Sequence, residues 1–333
     1  MADYTSAIEI KPADVDAYRE RGAVYSAMGL QDQALADFSK ILEIDPRNAI
    51  AYYNRGYVYL VRREPDGALV EFDKAIAVDA QLAMAYAGRG VAHHEKGGYE
   101  RAIVEFTKAI EIEPAFAPFH NGRGAAHRFR KAYDLAIADL TRAMELAPEF
   151  GVAYVNRALA YSAKREYERA IADYGRGIQI DPTDAVAINN RGLAYLETKE
   201  YGAALADFTT LIESEPRNEV AYHMRAHTYF QAGKSWEGLA DIDRALALKP
   251  DDAEVVDTRA RLLEDVGKRA DAIAEYRRSL QINPRLEGAR AALKRLGVGE
   301  DPWLEWRDWA VAHAQRLWEH PNSRVGSYPW PFS

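Results

Sequence analysis

Small and aromatic residues recur along the chain with a period of 34 residues. With Val15 as position 1, eight consecutive repeats fill residues 15–286 without an insertion or a deletion. Position 8 and position 20 are Gly or Ala in every repeat, whereas positions 11 and 24 are mainly aromatic. A register this regular predicts a stack of similar supersecondary units that share a continuous core.

Within each repeat the pattern predicts two antiparallel helices. Small residues at positions 8 and 20 let two helix backbones approach closely, and the aromatic side chains fill the remaining space. A proline stands near the end of seven of the eight repeats and ends the second helix, and Ala80 replaces it in the other repeat. We therefore predict an all-α solenoid of helix pairs.

The two ends of the chain depart from this regular array. Residues 1–14 continue the repeat backwards, with Tyr4 at position 24, so we interpret them as the orphan second helix of a truncated repeat. Residues 287–297 predict a capping helix with a closing glycine. Residues 298–333 predict a Trp-rich helix and a Pro/aromatic tail, which either packs on the array or docks elsewhere.

Charged residues follow the same period, with Arg at position 7 and an acid at position 23 of every repeat. A partly buried guanidinium needs a paired carboxylate, so we predict a structural ion-pair ladder, within or between repeats. An arginine track that reads acidic ligands is the weaker alternative, because each charge has its opposite. The predicted ladder consists of Arg21, Arg55, Arg89, Arg123, Arg157, Arg191, Arg225 and Arg259 with Asp37, Glu71, Glu105, Asp139, Asp173, Asp207, Asp241 and Glu275.

These positions together closely resemble the tetratricopeptide-repeat family over residues 15–286. The resemblance implies paired helices, A and B, stacked into a right-handed superhelix with a concave groove lined mainly by A helices. It says less about function, because this fold serves many unrelated roles.

The A-helix positions expected to face the groove form an apolar wall with Asn side chains set into it. We predict that this wall binds an extended or helical apolar peptide, whose backbone the Asn amides would hold. The alternative is that neighbouring A helices bury these residues among themselves, above all at position 12. The predicted groove residues are Tyr53, Asn54, Tyr57, Leu60, Val155, Asn156, Leu159, Asn189, Asn190, Leu193, Met224, His227 and Phe230.

Composition argues against catalysis and against nucleic acid. The chain has no Cys, which excludes thiolate metal sites and cysteine nucleophiles, and it has no phosphate-binding loop or nucleophile elbow. His223 and His227 lie one helical turn apart near Asp257, which is a weak metal signal. We predict no catalytic residue, no metal and no cofactor. A net charge of −8 would repel a nucleic-acid backbone.

The leading hypothesis is a non-enzymatic scaffold or adaptor that binds a protein or peptide in the concave groove. One alternative is a regulatory arm or fragment of a larger enzyme, suggested by the incomplete first repeat. Another is a homo-oligomer joined through terminal helices, above all the Trp-rich helix. The sequence has no apolar run long enough to span a bilayer and no signal peptide, so we predict a cytoplasmic location.

Overall fold

The computed structural model describes residues 2–299, and within this range it contains eighteen α-helices and no strand. The first helix of each repeat (A) is an even-numbered helix from α2 to α16, and the second (B) is the odd-numbered helix that follows. The helices are α1 (Ala2–Ile10), α2 (Val15–Ala27), α3 (Gln31–Ile44), α4 (Ala49–Val61), α5 (Pro65–Val78), α6 (Ala83–Glu95), α7 (Tyr99–Ile112), α8 (Ala117–Phe129), α9 (Tyr133–Leu146), α10 (Gly151–Ala163), α11 (Tyr167–Ile180), α12 (Ala185–Glu197), α13 (Tyr201–Ser214), α14 (Glu219–Gln231), α15 (Ser235–Leu248), α16 (Ala253–Asp265), α17 (Arg269–Ile282) and α18 (Glu287–Arg295).

The chain divides into an N-terminal part (Met1–Ala187) and a C-terminal part (Ile188–Ser333), with the boundary inside α12. In the N-terminal part, α2 packs on α3, α4 on α5 and so on to α10 on α11, and the B helices α3, α5, α7 and α9 also pack on the next A helix. In the C-terminal part, α14 packs on α15 and α16 on α17, and α18 closes the series on α17. This packing of consecutive pairs confirms the predicted all-α solenoid.

Several A helices begin at a side-chain cap supplied by the last residue of the preceding repeat. The Asn48 Oδ1 atom accepts a hydrogen bond from the backbone N–H of Ala51 at 3.0 Å, and Asn218 caps α14 in the same way through Ala221. The cap satisfies one of the backbone N–H groups that a helix start leaves without a partner. The repeat boundary and the helix start therefore coincide.

The small and aromatic positions meet in the core as the sequence predicts. A Cβ atom added to Gly56 would lie 2.6 Å from the Phe72 ring, and one added to Gly88 would lie 2.5 Å from the same ring. Phe72 is fully buried. Because Gly56 lies in α4 and Gly88 in α6, one aromatic ring fills the space between two successive A helices and joins neighbouring repeats.

The turn between helices A and B requires a left-handed residue at position 15 of each repeat. Gly29, Gly97, Gly233 and Gly267 have positive φ there, and so do the non-glycine residues Arg63, Lys131, Arg165 and Lys199. A residue with a Cβ atom adopts this conformation at a cost of about 1 kcal/mol. Four repeats therefore bear a small backbone strain that four others avoid.

Helices α1 and α18 lie at the two ends of the described chain. Helix α1 packs on α2, at the place where the orphan helix was predicted. The capping helix α18 ends at Arg295, two residues earlier than predicted, and Gly297 follows it with a φ of 72°. The predicted Trp-rich helix and tail lie outside the described residues, apart from Val298 and Gly299, and stay a prediction. Between residues 2 and 299, no helix has both the length and the apolar character needed to cross a membrane.

Candidate functional site

Each ladder arginine lies within 3.0 Å of the acid sixteen residues later in the chain. The five pairs of the N-terminal part are Arg21–Asp37, Arg55–Glu71, Arg89–Glu105, Arg123–Asp139 and Arg157–Asp173. The three pairs of the C-terminal part are Arg191–Asp207, Arg225–Asp241 and Arg259–Glu275. Every aspartate accepts two hydrogen bonds from its arginine, a forked geometry that suits a planar guanidinium.

Most of these arginines also contact the B helix of the preceding repeat, through position 25. Arg157 donates from Nη1 to the Thr141 hydroxyl at 2.9 Å, besides its fork on Asp173. The other position-25 acceptors are Thr5, Asp73, Thr107, Thr209 and Asp243. The ladder thus connects helices within a repeat and between repeats, which answers the question that the sequence left open.

The carboxylates of this ladder are buried or nearly so, and burial alone would disfavour their charge. The hydrogen bonds to Asp173 raise the pKa of Arg157 above its ordinary value, and those to Asp207 do the same for Arg191. Arg157 and Arg191 are therefore held in the charged form by their acids. Each guanidinium is paired with one of the protein's own acids, which leaves little capacity for an external anion.

Four predicted groove residues of the N-terminal part lie on α4, and three of them, Tyr53, Asn54 and Tyr57, are at least partly exposed. Tyr53 is half-buried with its ring 5.9 Å from that of Phe72, and burial raises the pKa of its phenol. Tyr57 is 51% exposed. Asn54 is half-buried, and its side chain forms no hydrogen bond with another residue in the 2–299 range. The carboxamide of Asn54 therefore remains available to a ligand.

Two predicted groove residues are core residues, and the prediction is wrong for them. Leu60 is 9% exposed because it packs with Ala68 of α5 and Ala92 of α6 around Phe72. Val155 is 7% exposed. A Cβ atom on Gly177 would lie 2.8 Å from the Val155 side chain, so the missing side chain of this glycine makes room for the valine.

The other two predicted groove residues of the N-terminal part lie on α10. Asn156 donates from Nδ2 to the Asn121 Oδ1 atom of α8 at 3.0 Å, which links successive A helices. Leu159 is half-buried and packs against the cluster around Tyr174. The predicted groove surface of Asn and apolar residues is therefore only partly exposed on this helix.

In the C-terminal part the predicted residues are all half-buried: Asn189, Asn190, Leu193, Met224, His227 and Phe230. Phe230 packs on a cluster that includes Ile242 and Leu262, and its ring lies 6.4 Å from that of His227. Burial is the main cause that lowers the pKa of His227. These two side chains form a mixed apolar and neutral surface on α14.

His223 does not form the metal site that its spacing suggested. Its Nε2 atom hydrogen-bonds the Thr258 hydroxyl at 2.9 Å, and burial lowers its pKa to about 4. Asp257 forms an ion pair with Arg261 at 2.7 Å. In residues 2–299, no group of three or more His, Cys, Asp or Glu side chains is arranged to hold a metal ion.

Sequence reasoning missed a second row of ion pairs on the surface of the N-terminal part. A cation at position 14 contacts the acid at position 18 of the preceding repeat, 30 residues earlier; a 30-residue spacing of opposite charges could have revealed this row. The pairs are Arg62–Asp32, Lys96–Asp66, Arg130–Glu100 and Lys164–Asp134. Their acids are well exposed, so each pair adds little to stability.

An aromatic cluster at the ends of α6 and α8 was also missed. The rings of Tyr99 and Phe129 stack with centroids 5.2 Å apart and planes 16° from parallel. His94 meets Phe129 edge-on at 4.8 Å, and Phe129 is 44% exposed. Position 17 is Tyr in four consecutive repeats, but positions 12 and 13, which supply His94 and Phe129, change from repeat to repeat, so the periodicity does not reveal the cluster.

Comparison with family models identifies tetratricopeptide repeats at residues 15–48, 38–69, 83–116 and 157–228. No curated protein matches the sequence.

Solved structures with a similar fold come from several proteins. The APC/C heterotetramer Cut9–Hcn1 is 19% identical with a TM-score of 0.59, and the match covers 88% of this chain and 57% of that chain. The C-terminal part of a tetratricopeptide protein from Cytophaga hutchinsonii is 18% identical with a TM-score of 0.58, covering 71% and 97%. Pseudomonas aeruginosa pilF is 24% identical with a TM-score of 0.55, covering 62% and 95%. At these identities the likeness is one of fold.

Proposed function

Because this chain belongs to the tetratricopeptide-repeat family, we propose that it is a non-enzymatic scaffold or adaptor that binds a protein or peptide through its A helices. The fold supports a role in protein interaction, since stacked helix pairs present extended surfaces on which a partner can lie. The ladder charges pair with each other, so they are not the groups that a partner would use.

The observation that carries this proposal is an exposed apolar stripe on α4, formed by Ile50, Asn54, Tyr57 and Val61. These positions are separated by four, three and four residues and therefore share one face of the helix. Ile50, Tyr57 and Val61 are exposed, whereas Ala51, Gly56, Val58 and Leu60 of the same helix are buried. Contiguous exposed apolar side chains on a soluble helix mark an interaction surface.

Asn54 gives the stripe a polar group that can orient a ligand. Its carboxamide has both a donor and an acceptor, and no other described residue engages them. An extended peptide has unpaired backbone N–H and C=O groups that such an amide can satisfy. We therefore propose that Tyr57 and its apolar neighbours bind side chains of a peptide while Asn54 binds its backbone.

Selection of random short peptides displayed on phage, with the full chain as bait, tests this proposal. Selected peptides would be synthesised with a fluorophore and their Kd values measured by fluorescence anisotropy. We expect Tyr57→Ala to weaken binding by about tenfold or more, because buried aromatic anchors dominate peptide affinity. Val70→Ala is the matched control, since Val70 is 52% exposed but lies on B helix α5.

The proposal fails if no peptide is enriched, or if selected peptides bind Tyr57→Ala as tightly as the wild type. Circular dichroism should show the same helix content for both variants, because neither side chain is in the core. Equal weakening by Val70→Ala would also contradict it, since binding would then not depend on the A-helix side.

A further inference from the structure

Arg128, the penultimate residue of A helix α8, differs from the ladder arginines in having no carboxylate partner. Its Nε atom is buried without a hydrogen-bond acceptor, whereas its terminal nitrogens are not buried in this way. Among residues 2–299, no acid forms an ion pair with it. Its close contact is with the next residue, because the guanidinium carbon lies 4.3 Å from the centre of the Phe129 ring.

The surroundings of Arg128 are aromatic and neutral. Phe129 stacks on Tyr99 and meets His94 edge-on, and the Nε2 atom of His94 is buried without a partner. Burial and the nearby positive charge of Arg128 lower the pKa of His94, so the imidazole is neutral at pH 7. One permanent positive charge therefore lies beside a half-exposed aromatic ring.

The position itself does not require an arginine. Leu60 and Leu196 stand at the equivalent position 12 of two other repeats, and Leu60 packs in the core there. A partly dehydrated guanidinium without a counter-charge lowers stability, and an arginine cannot escape this cost by losing its proton. Such a group becomes favourable when a ligand supplies the missing anion.

We infer that Arg128 binds a carboxylate of a peptide partner, an Asp or Glu side chain, while Phe129 packs against an apolar or aromatic residue beside it in the peptide. This inference rests on the proposed peptide-binding function and names the chemistry of one contact. The terminal nitrogens of a guanidinium match the two oxygens of a carboxylate in a forked geometry.

Charge favours a monoanion over a doubly charged phosphate. Arg128 supplies one positive charge and His94 supplies none. Glu100 and Asp134, which follow the aromatic residues Tyr99 and Tyr133 in sequence, are already paired with Arg130 and Lys164. Arg128 is the positive charge that acts on His94, so one carboxylate would balance it and a doubly charged phosphate would exceed it.

The test repeats the random peptide selection with the full-length wild type and with Arg128→Gln as separate baits. We expect the wild type to enrich peptides with an acidic residue next to an aromatic or large apolar one, and Arg128→Gln to lose the acidic preference. Replacing the acid of a selected peptide by its amide should weaken wild-type binding about tenfold, as expected for a charge-assisted hydrogen bond. The same replacement should have no effect on binding to Arg128→Gln, as in a double-mutant cycle.

Arg130→Gln is the matched control. It removes the same charge two residues further along the chain, from an arginine that already has a partner in Glu100. It should keep the acidic preference. If Arg128→Gln does not fold, Arg128→Leu replaces it, since leucine occupies this position in two other repeats.

Enriched peptides without an acidic preference, or a preference that survives in Arg128→Gln, would overturn the inference but leave peptide binding intact. A phosphoserine version that binds more tightly than the glutamate peptide would overturn the assignment to a carboxylate. No enrichment on any bait would mean that the proposed function itself fails, and the inference with it.

Discussion

The ladder arginines and Arg128 are the same residue type in the same repeat array, yet their surroundings are opposite. Arg157 in α10 is largely buried and forks onto Asp173, with its Nε atom 2.7 Å from the carboxylate. Arg128 in α8 has a buried Nε atom as well, but it faces an aromatic ring and no acid of the described chain. Arg157 forms an ion pair within the protein, whereas the described residues supply no carboxylate for Arg128.

The pKa directions of these two arginines express the same difference. The hydrogen bonds to Asp173 raise the pKa of Arg157, whereas burial lowers that of Arg128. Losing contact with water opposes the charged form in both cases, and only the ladder provides compensation. Buried charge is therefore a structural element where it is paired and a candidate binding group where it is not.

Removing a ladder arginine gives the largest expected effect. Arg157→Leu should lower the free energy of unfolding by about 3 to 4 kcal/mol, because it leaves the buried Asp173 carboxylate without a counter-charge. The double variant Arg157→Leu/Asp173→Leu should recover most of this loss. Urea unfolding followed by circular dichroism measures the change, and hydrogen exchange of the α10 and α11 amides locates it.

Arg142→Leu provides the control for this experiment. Its partner Glu145 is exposed, so the loss should stay below about 0.5 kcal/mol. If Arg157→Leu were as mild as Arg142→Leu, the ladder would have no structural role, and its arginines would belong in one class with Arg128.

The fold was predictable because each repeat contains the same steric solution. Glycine at position 8 and an aromatic ring at position 24 meet in the core, and Gly56 with Phe72 shows how little room remains between them. The left-handed residue of each A–B turn was harder to see, because four of the eight are Arg or Lys where glycine would be the usual signal.

The candidate site was less predictable because it depends on what differs between repeats. The repeat position of Val155 predicts an exposed side chain. Because Gly177 has no side chain to fill the neighbouring space, Val155 packs against it instead. Arg128 and His94 occupy a position that is Leu in two other repeats, so periodicity gives no information about them. Features that recur in every repeat predict the fold from the sequence. Features found in one repeat are identified only from the contacts in the structure.

The second-largest expected effect is a pH dependence of the free energy of unfolding that comes from His223, a buried base that can lose its proton. Its pKa of about 4 lies below the value of about 6.5 in an unfolded chain. Between these pH values the unfolded state binds more protons, so the free energy of unfolding falls as pH drops through this window, by up to about 2 to 3 kcal/mol. Above pH 7 both states are neutral and this dependence disappears.

The measurement is the pH dependence of unfolding for the wild type and for His223→Gln. Near His223, the charge of His227 acts in the same direction as burial, and Asp252 opposes it. We expect the slope between pH 6.5 and 4 to be shallower in the variant, and the other histidines whose pKa burial lowers, among them His94 and His227, to account for part of what remains. Equal slopes would show that His223 does not contribute.

Arg128→Leu gives the smallest expected change in the free energy of unfolding. The sign of this change distinguishes the unpaired Arg128 from the paired ladder arginines. We expect the free energy of unfolding to rise by about 1 kcal/mol, because an apolar side chain of the kind found at Leu60 replaces an unpaired, partly dehydrated charge. At equal concentration, a selected acidic peptide should then stabilise the wild type against urea more than this variant, since stabilisation follows the affinity of the ligand for the folded state. A loss of stability comparable to that of Arg157→Leu would show that Arg128 has a partner inside the protein, and the carboxylate of a bound peptide would no longer be needed to explain it.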